Sequence, residues 1–122
     1  MDDASLIAEA CGFVLTQFGE GKLDSALNAP FTEFGGFALY PTFEEKAAIL
    51  WCRVSNSHSL VDGNKRLGML CLLYFCFINQ YVAYASDADF TRVALWTADH
   101  KYSEKQVLQW LKPKIRKVDE EK

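Results

Sequence analysis

The sequence predicts an all-α fold, a compact helical bundle with a central buried helix and one short flap segment. Three observations carry that expectation. From Leu67 to Ile78 twelve consecutive residues are apolar or glycine, well short of the roughly 20 that cross a bilayer. Such a run reads as a helix covered by neighbours on every side. Elsewhere apolar residues recur at spacings of three and four, the helical period. A hydroxyl residue followed three positions later by Glu or Gln, the signature of a capped helix start, stands at Thr42 with Glu45 and at Ser103 with Gln106.

Taken in order, Leu6, Ile7, Ala10, Phe13, Val14 and Phe18 make a first helical stripe, which Gly19 and Gly21 end. A short helical turn from Asp24 to Asn28 stops before Pro30. Phe31 to Pro41 is expected to be irregular, with a turn at Gly35-Gly36 and an extended flap at Phe37, Ala38, Leu39 and Tyr40. Thr42 and Glu45 open a helix to about Ser57, and the central helix follows and breaks at Asn79-Gln80. Ser86 or Asp87 caps a helix through Ala98, and Ser103 caps the last one. Trp51, Trp96 and Trp110 fall at core-facing positions, where packing explains them better than base stacking. The charged tail, residues 112–122, is expected to fray.

Composition bounds the function. At 122 residues, with half of them apolar, the chain is expected to fold as one domain over 1–122. A net charge of -3 gives no general pull toward nucleic acid or an anionic membrane, so neither is expected as a partner. Cys11, Cys52, Cys71 and Cys76 lack CxxC or metal-finger spacing and read as small buried hydrophobes of a reducing compartment. Asp2 and Asp3 stand where a secretory leader carries basic residues, so the expected location is cytoplasmic. His100, alone on a polar stretch, reads as a surface residue.

The chemistry is concentrated in His58-Ser-Leu-Val-Asp62-Gly63-Asn64-Lys65-Arg66. A helix starting at Gly63 or Asn64 turns its unpaired N–H groups and positive dipole end toward the preceding loop, where an anion is favoured. Gly63 allows close backbone approach, Asn64 can donate an amide, and Lys65 and Arg66 add a point charge and a planar fork of donors. His58 is placed to act as a base, and Asp62 is a hard oxygen ligand suited to Mg²⁺. Singly, each has an ordinary role as cap, turn residue or solvated charge. Together they form a phosphate-handling set.

This stretch resembles the signature of the Fic/Doc superfamily, and Lys65, where Fic adenylyltransferases carry Gly, resembles the Doc branch. Gly21 to Pro30, Leu39-Tyr40-Pro41-Thr42, Glu44 to Ala48 and the terminal helix from Ser103 to Leu111 resemble Doc-family blocks in the usual order. The chain departs from the family in Leu60, where a Phe usually anchors the loop, and in Leu67, commonly Thr. The resemblance implies a Doc-like toxin kinase that moves the γ-phosphate of ATP to a protein hydroxyl. His58 would be the base and Arg66 the charge stabiliser. Gly63, Asn64, Lys65 and Arg66 would hold phosphate, and Asp62 would hold Mg²⁺. Phe37, Leu39 and Tyr40 would form a flap that docks the target by strand pairing, unless they merely anchor the loop. It also implies elongation factor Tu as target and a small antitoxin with a disordered C-terminal segment as partner. AMP transfer and a catalytically silent interaction module are the alternatives. Thr16 to Gly21 superficially fits the inhibitory helix of some Fic proteins, but inhibition is expected in trans.

Overall fold

The computed structural model describes residues 12–98 and 102–118. Helix α1 (Gly19–Asn28) runs into a 3₁₀ turn at Ala29–Phe31, since Pro30 cannot donate to a continuing α-helical ladder. Strands β1 (Glu33–Phe34) and β2 (Phe37–Ala38) then form an antiparallel hairpin with Phe34 opposite Phe37. Gly35 and Gly36 take φ of 60° and 84°, the pair of left-handed residues that a tight two-residue hairpin turn needs. The flap, expected to be irregular before Phe37, is therefore paired backbone.

Helix α2 (Phe43–Ser55) starts at Thr42, whose hydroxyl oxygen accepts from the Glu45 N–H at 3.1 Å. Helix α3 (Asn64–Ile78) is the central apolar segment. After it, strand β3 (Tyr81–Ala83) pairs antiparallel with β4 (Ile115–Lys117). The expected fraying of the charged tail is thus corrected over 115–117, where backbone pairing and burial of Ile115 hold the chain down. Between these strands lie α4 (Asp87–Ala98), where Ser86 Oγ accepts from Asp89 N, and α5 (Glu104–Leu111). The α5 start has both halves of the capping box, Gln106 N to Ser103 Oγ and Ser103 N to Gln106 Oε1. The fold is mostly helical, as expected, with two minimal sheets.

The first stripe is corrected as well. Leu6, Ile7 and Ala10 lie outside the described residues, but Phe13, Val14 and Phe18 are not in a helix. Val14 O accepts from Val61 N and Thr16 N donates to Ser59 O, both at 2.9 Å, around an isolated bridge between Leu15 and Leu60. Backbone groups committed to that pairing are withdrawn from a helical ladder. Gly19 and Gly21 consequently open α1 instead of closing an earlier helix.

Two buried clusters share α2. One joins Ala47, Ala48, Trp51 and Cys52 to Leu72, Phe90, Val93, Val107 and Leu111, so that α2, α3, α4 and α5 meet there. The other joins Leu50 and Val54 to Leu23 of α1, Leu60 of the motif loop and Leu67 of α3. Helix α3 buries Leu67, Gly68, Cys71, Leu72 and Cys76, whereas Leu70, Tyr74, Phe77 and Ile78 are exposed. Burial on every side, expected from its composition, is therefore corrected to burial on one face. Its most extensive contact is with α2, and β3 and α4 also pack against it. No helix of the described residues is long and apolar enough to cross a membrane.

Candidate active site

The loop between α2 and α3 is held at several points, and each restraint is local in origin. Ser57 Oγ donates to Val54 O at 2.8 Å and pairs with Ser59 Oγ at 2.8 Å. The Asn64 amide reaches back over the loop, its Oδ1 accepting from Leu60 N at 3.0 Å and its Nδ2 donating to Leu60 O at 3.1 Å. Leu60 itself is only 3% exposed and packs in the second cluster, so Leu anchors this loop in the place usually given to Phe. From the other side Thr16 Oγ1 donates to Ser59 O at 3.2 Å. His58 is exposed and has φ 54°, a left-handed conformation uncommon for a residue with a side chain.

Gly63 precedes α3 with φ 94°, and among the described residues no side chain caps the helix start. The first helical bond runs from Leu67 N to Gly63 O at 2.8 Å, so the N–H groups of Asn64, Lys65 and Arg66 have no partner within the helix. No acidic residue lies in that first turn, and the positive end of the helix is left uncompensated. Lys65 adds its ammonium at the same place.

His58, Asn64 and Lys65 meet in a cleft of about 330 Å³. Its far wall comes from α4 and the α5 start, through Thr97, Tyr102, Ser103 and Glu104. Asp62, Gly63 and Arg66 do not line this cleft. Asp62 and Arg66 are exposed, and the Arg66 guanidinium lies over the Phe13 ring, 5.2 Å from its centroid. The structure therefore splits the nine-residue stretch: His58 and Lys65 line the cleft, and Arg66 lies beside Phe13. The Asn64 side chain, expected to contact phosphate, is committed to Leu60, which leaves its backbone N–H for a ligand.

The three flap residues also separate. Phe37 projects from the hairpin tip, 79% exposed, as is Phe34. Leu39 and Tyr40 line an apolar groove of about 320 Å³ with Ala48, Ile49 and Leu108. The Tyr40 hydroxyl accepts from Arg53 Nη2 at 3.4 Å, and its carbonyl accepts from Lys46 Nζ. The tip is thus free to meet another chain while the root is fastened to α2.

Among the described residues no group of three His, Cys, Asp or Glu side chains could hold a metal ion. Mg²⁺ commonly takes one or two carboxylates and completes its shell with substrate phosphates and water. A lone exposed Asp62 fits that mode and not an all-protein cage. The buried Cys52 and Cys76 thiols are kept protonated, since burial first, then the nearby Glu104 carboxylate, pushes Cys52 up to about 12, and burial pushes Cys76 to about 12. Glu20 makes no ion pair among the described residues, and within Thr16 to Gly21 it is Thr16 that hydrogen-bonds the motif loop. His100 lies outside the described residues.

The profile of the Fic/DOC family matches residues 5–76, more than half of the chain and all of the motif. The chain belongs to the Fic/DOC family. A protein named Toxin Doc from Mycolicibacterium smegmatis is 39% identical over 72 residues, 59% of this chain and 55% of that protein. The chain thus matches about half the length of this relative. No solved structure gives a significant match. Within the Fic/DOC family this chain takes the Doc-like form, with Lys65 after Asn64. The parts played by Phe13, Thr16 and Glu104 are not legible in the sequence because these residues lie far from the motif in the chain. Only the Ser103 cap hints that the α5 start is ordered, and nothing in it points to the cleft.

Proposed function

We propose that this protein is a Doc-like toxin that transfers the γ-phosphate of ATP to a hydroxyl of a protein substrate, with elongation factor Tu as the favoured target. The observation that carries the reading is the meeting of His58 and Lys65 at the uncapped start of α3. Unpaired backbone N–H groups there suit the oxygens of a phosphate chain. Lys65 contributes charge on the cleft wall, and His58, exposed on a pinned loop, is available to take the hydroxyl proton as the hydroxyl attacks. General bases of this kind contribute about 10²- to 10⁴-fold. Arg66 lies one residue further on, outside the cleft, and its charge would stabilise the leaving phosphates as they enter beside Phe13.

Mg²⁺ would be held by Asp62 together with the nucleotide, and when bound it neutralises phosphate charge. The exposed hairpin, with Phe34 and Phe37 outward, supports strand pairing with the target. The relative named Toxin Doc supports a toxin role, and the partner that goes with this reading is a small antitoxin whose disordered C-terminal segment folds on binding. Regulated expression in a bacterial host tests this: growth and translation stop with the native protein and continue with His58→Ala at equal protein level. Arrest that persists in His58→Ala would exclude His58-dependent transfer as its cause.

A further inference from the structure

A second polar cavity, of about 460 Å³, opens between α1, the 3₁₀ turn and the C-terminal end of α2. Its lining includes two cations, Lys22 and Arg53, and the neutral polar residues Ser25, Asn28, Thr32, Asn56 and Ser57, and among the described residues it contains no carboxylate; the Thr32 hydroxyl is spent on Ala29 O, and the Asn28 amide gives one of its protons to Asp24 O. In a chain of net charge -3 this is a local reversal of sign. Lys22 makes no ion pair among the described residues. Arg53 gives Nε and Nη2 to the Glu104 carboxylate at 2.5 and 3.2 Å and Nη2 also to Tyr40, leaving Nη1 without an acceptor among the described residues. The guanidinium thus already holds one carboxylate and has a donor left for another.

Position says what an occupant is attached to. Asn56 lines both this cavity and the His58 cleft. Thr32, also in the lining, accepts through its carbonyl from Leu39 N at the root of the hairpin. A polypeptide lying along the hairpin toward His58 therefore passes the mouth of the cavity.

We infer that the Lys22–Arg53 cavity is a subsite for an acidic side chain of a polypeptide bound across the hairpin, so that a Glu or Asp near the acceptor hydroxyl contributes to selection. This deepens the proposed function and rests on it for the identity of the ligand as a substrate, but its test reads binding alone. Amide chemical shifts are followed by NMR while N-acetyl-glutamate-methylamide, its glutamine counterpart or inorganic phosphate is added to the full chain. Saturating shifts at Ser25, Asn28, Thr32 and Asn56 are expected with the glutamate probe and not with the glutamine probe. They should weaken about fivefold in Lys22→Gln, the worth of one exposed charge pair, and recover in Lys22→Arg. Equal response to the glutamine probe, no loss in Lys22→Gln, response confined to Asn64 and Lys65, or tighter binding of inorganic phosphate at the same amides would each overturn the assignment. Loss of ATP-dependent transfer would sink the proposed function and leave this titration unchanged.

Discussion

The Arg66 guanidinium sits 5.2 Å from the centroid of the Phe13 ring, and the same ring closes over Gly63, where a Cβ would stand 2.6 Å from Phe13 Cε1. One aromatic side chain from the N-terminal strap thus sets both the backbone entry to α3 and the position of its arginine. Phe13→Leu keeps the apolar contact and removes the ring face, an exposed cation–π interaction worth about 0.5–1 kcal/mol. A destabilisation of about 1 kcal/mol in urea unfolding is expected for Phe13→Leu and little change for Phe13→Tyr. If leucine were as good as tyrosine, the ring would be packing only.

Gly63→Ala meets two obstacles at once, φ 94° and the Phe13 ring. Its expected cost is about 1–3 kcal/mol. Gly21, exposed in α1 with open space where a Cβ would stand, is the contrast: Gly21→Ala should stabilise by about 0.4–1 kcal/mol through lost unfolded-state freedom. Thermal unfolding of the two variants side by side reads both signs.

Ser55 is buried at the α2–α3 contact, and its hydroxyl has no hydrogen-bond partner among the described residues. Burying an unpaired hydroxyl costs about 1–3 kcal/mol, so Ser55→Ala should raise the melting temperature. Gly68 faces it so closely that an added Cβ would collide with Ser55 Oγ. Gly68→Ala should therefore destabilise alone and be partly rescued by Ser55→Ala, a coupling that a double-mutant cycle measures.

Cys52 is held protonated by burial to about 12 against 9.0 for a free thiol. The folded value is raised, so below pH 9 folded and unfolded states bind the same proton and stability is fully present. Between about pH 9 and 12 only the unfolded thiol ionises, and stability falls by up to about 1.4 kcal/mol per pH unit. Urea midpoints of the native protein should drop over this range more steeply than those of Cys52→Ala. Equal slopes would mean that Cys52 does not govern the alkaline loss.

Helix ends with a local cause were legible in the sequence: Thr42, Ser86 and Ser103 cap where their hydroxyls said they would. The order of the helices from α2 onward was legible too, because it follows from local periodicity and capping. What failed depended on distant partners. The stripe of Phe13, Val14 and Phe18 has helical spacing, yet pairing with residues 59–61 took the backbone around Val14 and Thr16. The 115–117 strand looked like a solvated tail because its partner, Tyr81–Ala83, lies more than thirty residues away. Arg66 read as part of one phosphate-facing row, whereas its guanidinium lies over the Phe13 ring and it does not line the cleft.

The most direct test of phosphoryl transfer is intact-mass spectrometry of purified elongation factor Tu after incubation with this protein, ATP and Mg²⁺, beside His58→Ala. The expected result is a gain of one phosphate with the native protein and none with the variant. A gain of one AMP, a phosphate gain that survives in His58→Ala, or an unchanged mass would contradict His58-dependent transfer of the γ-phosphate to this target.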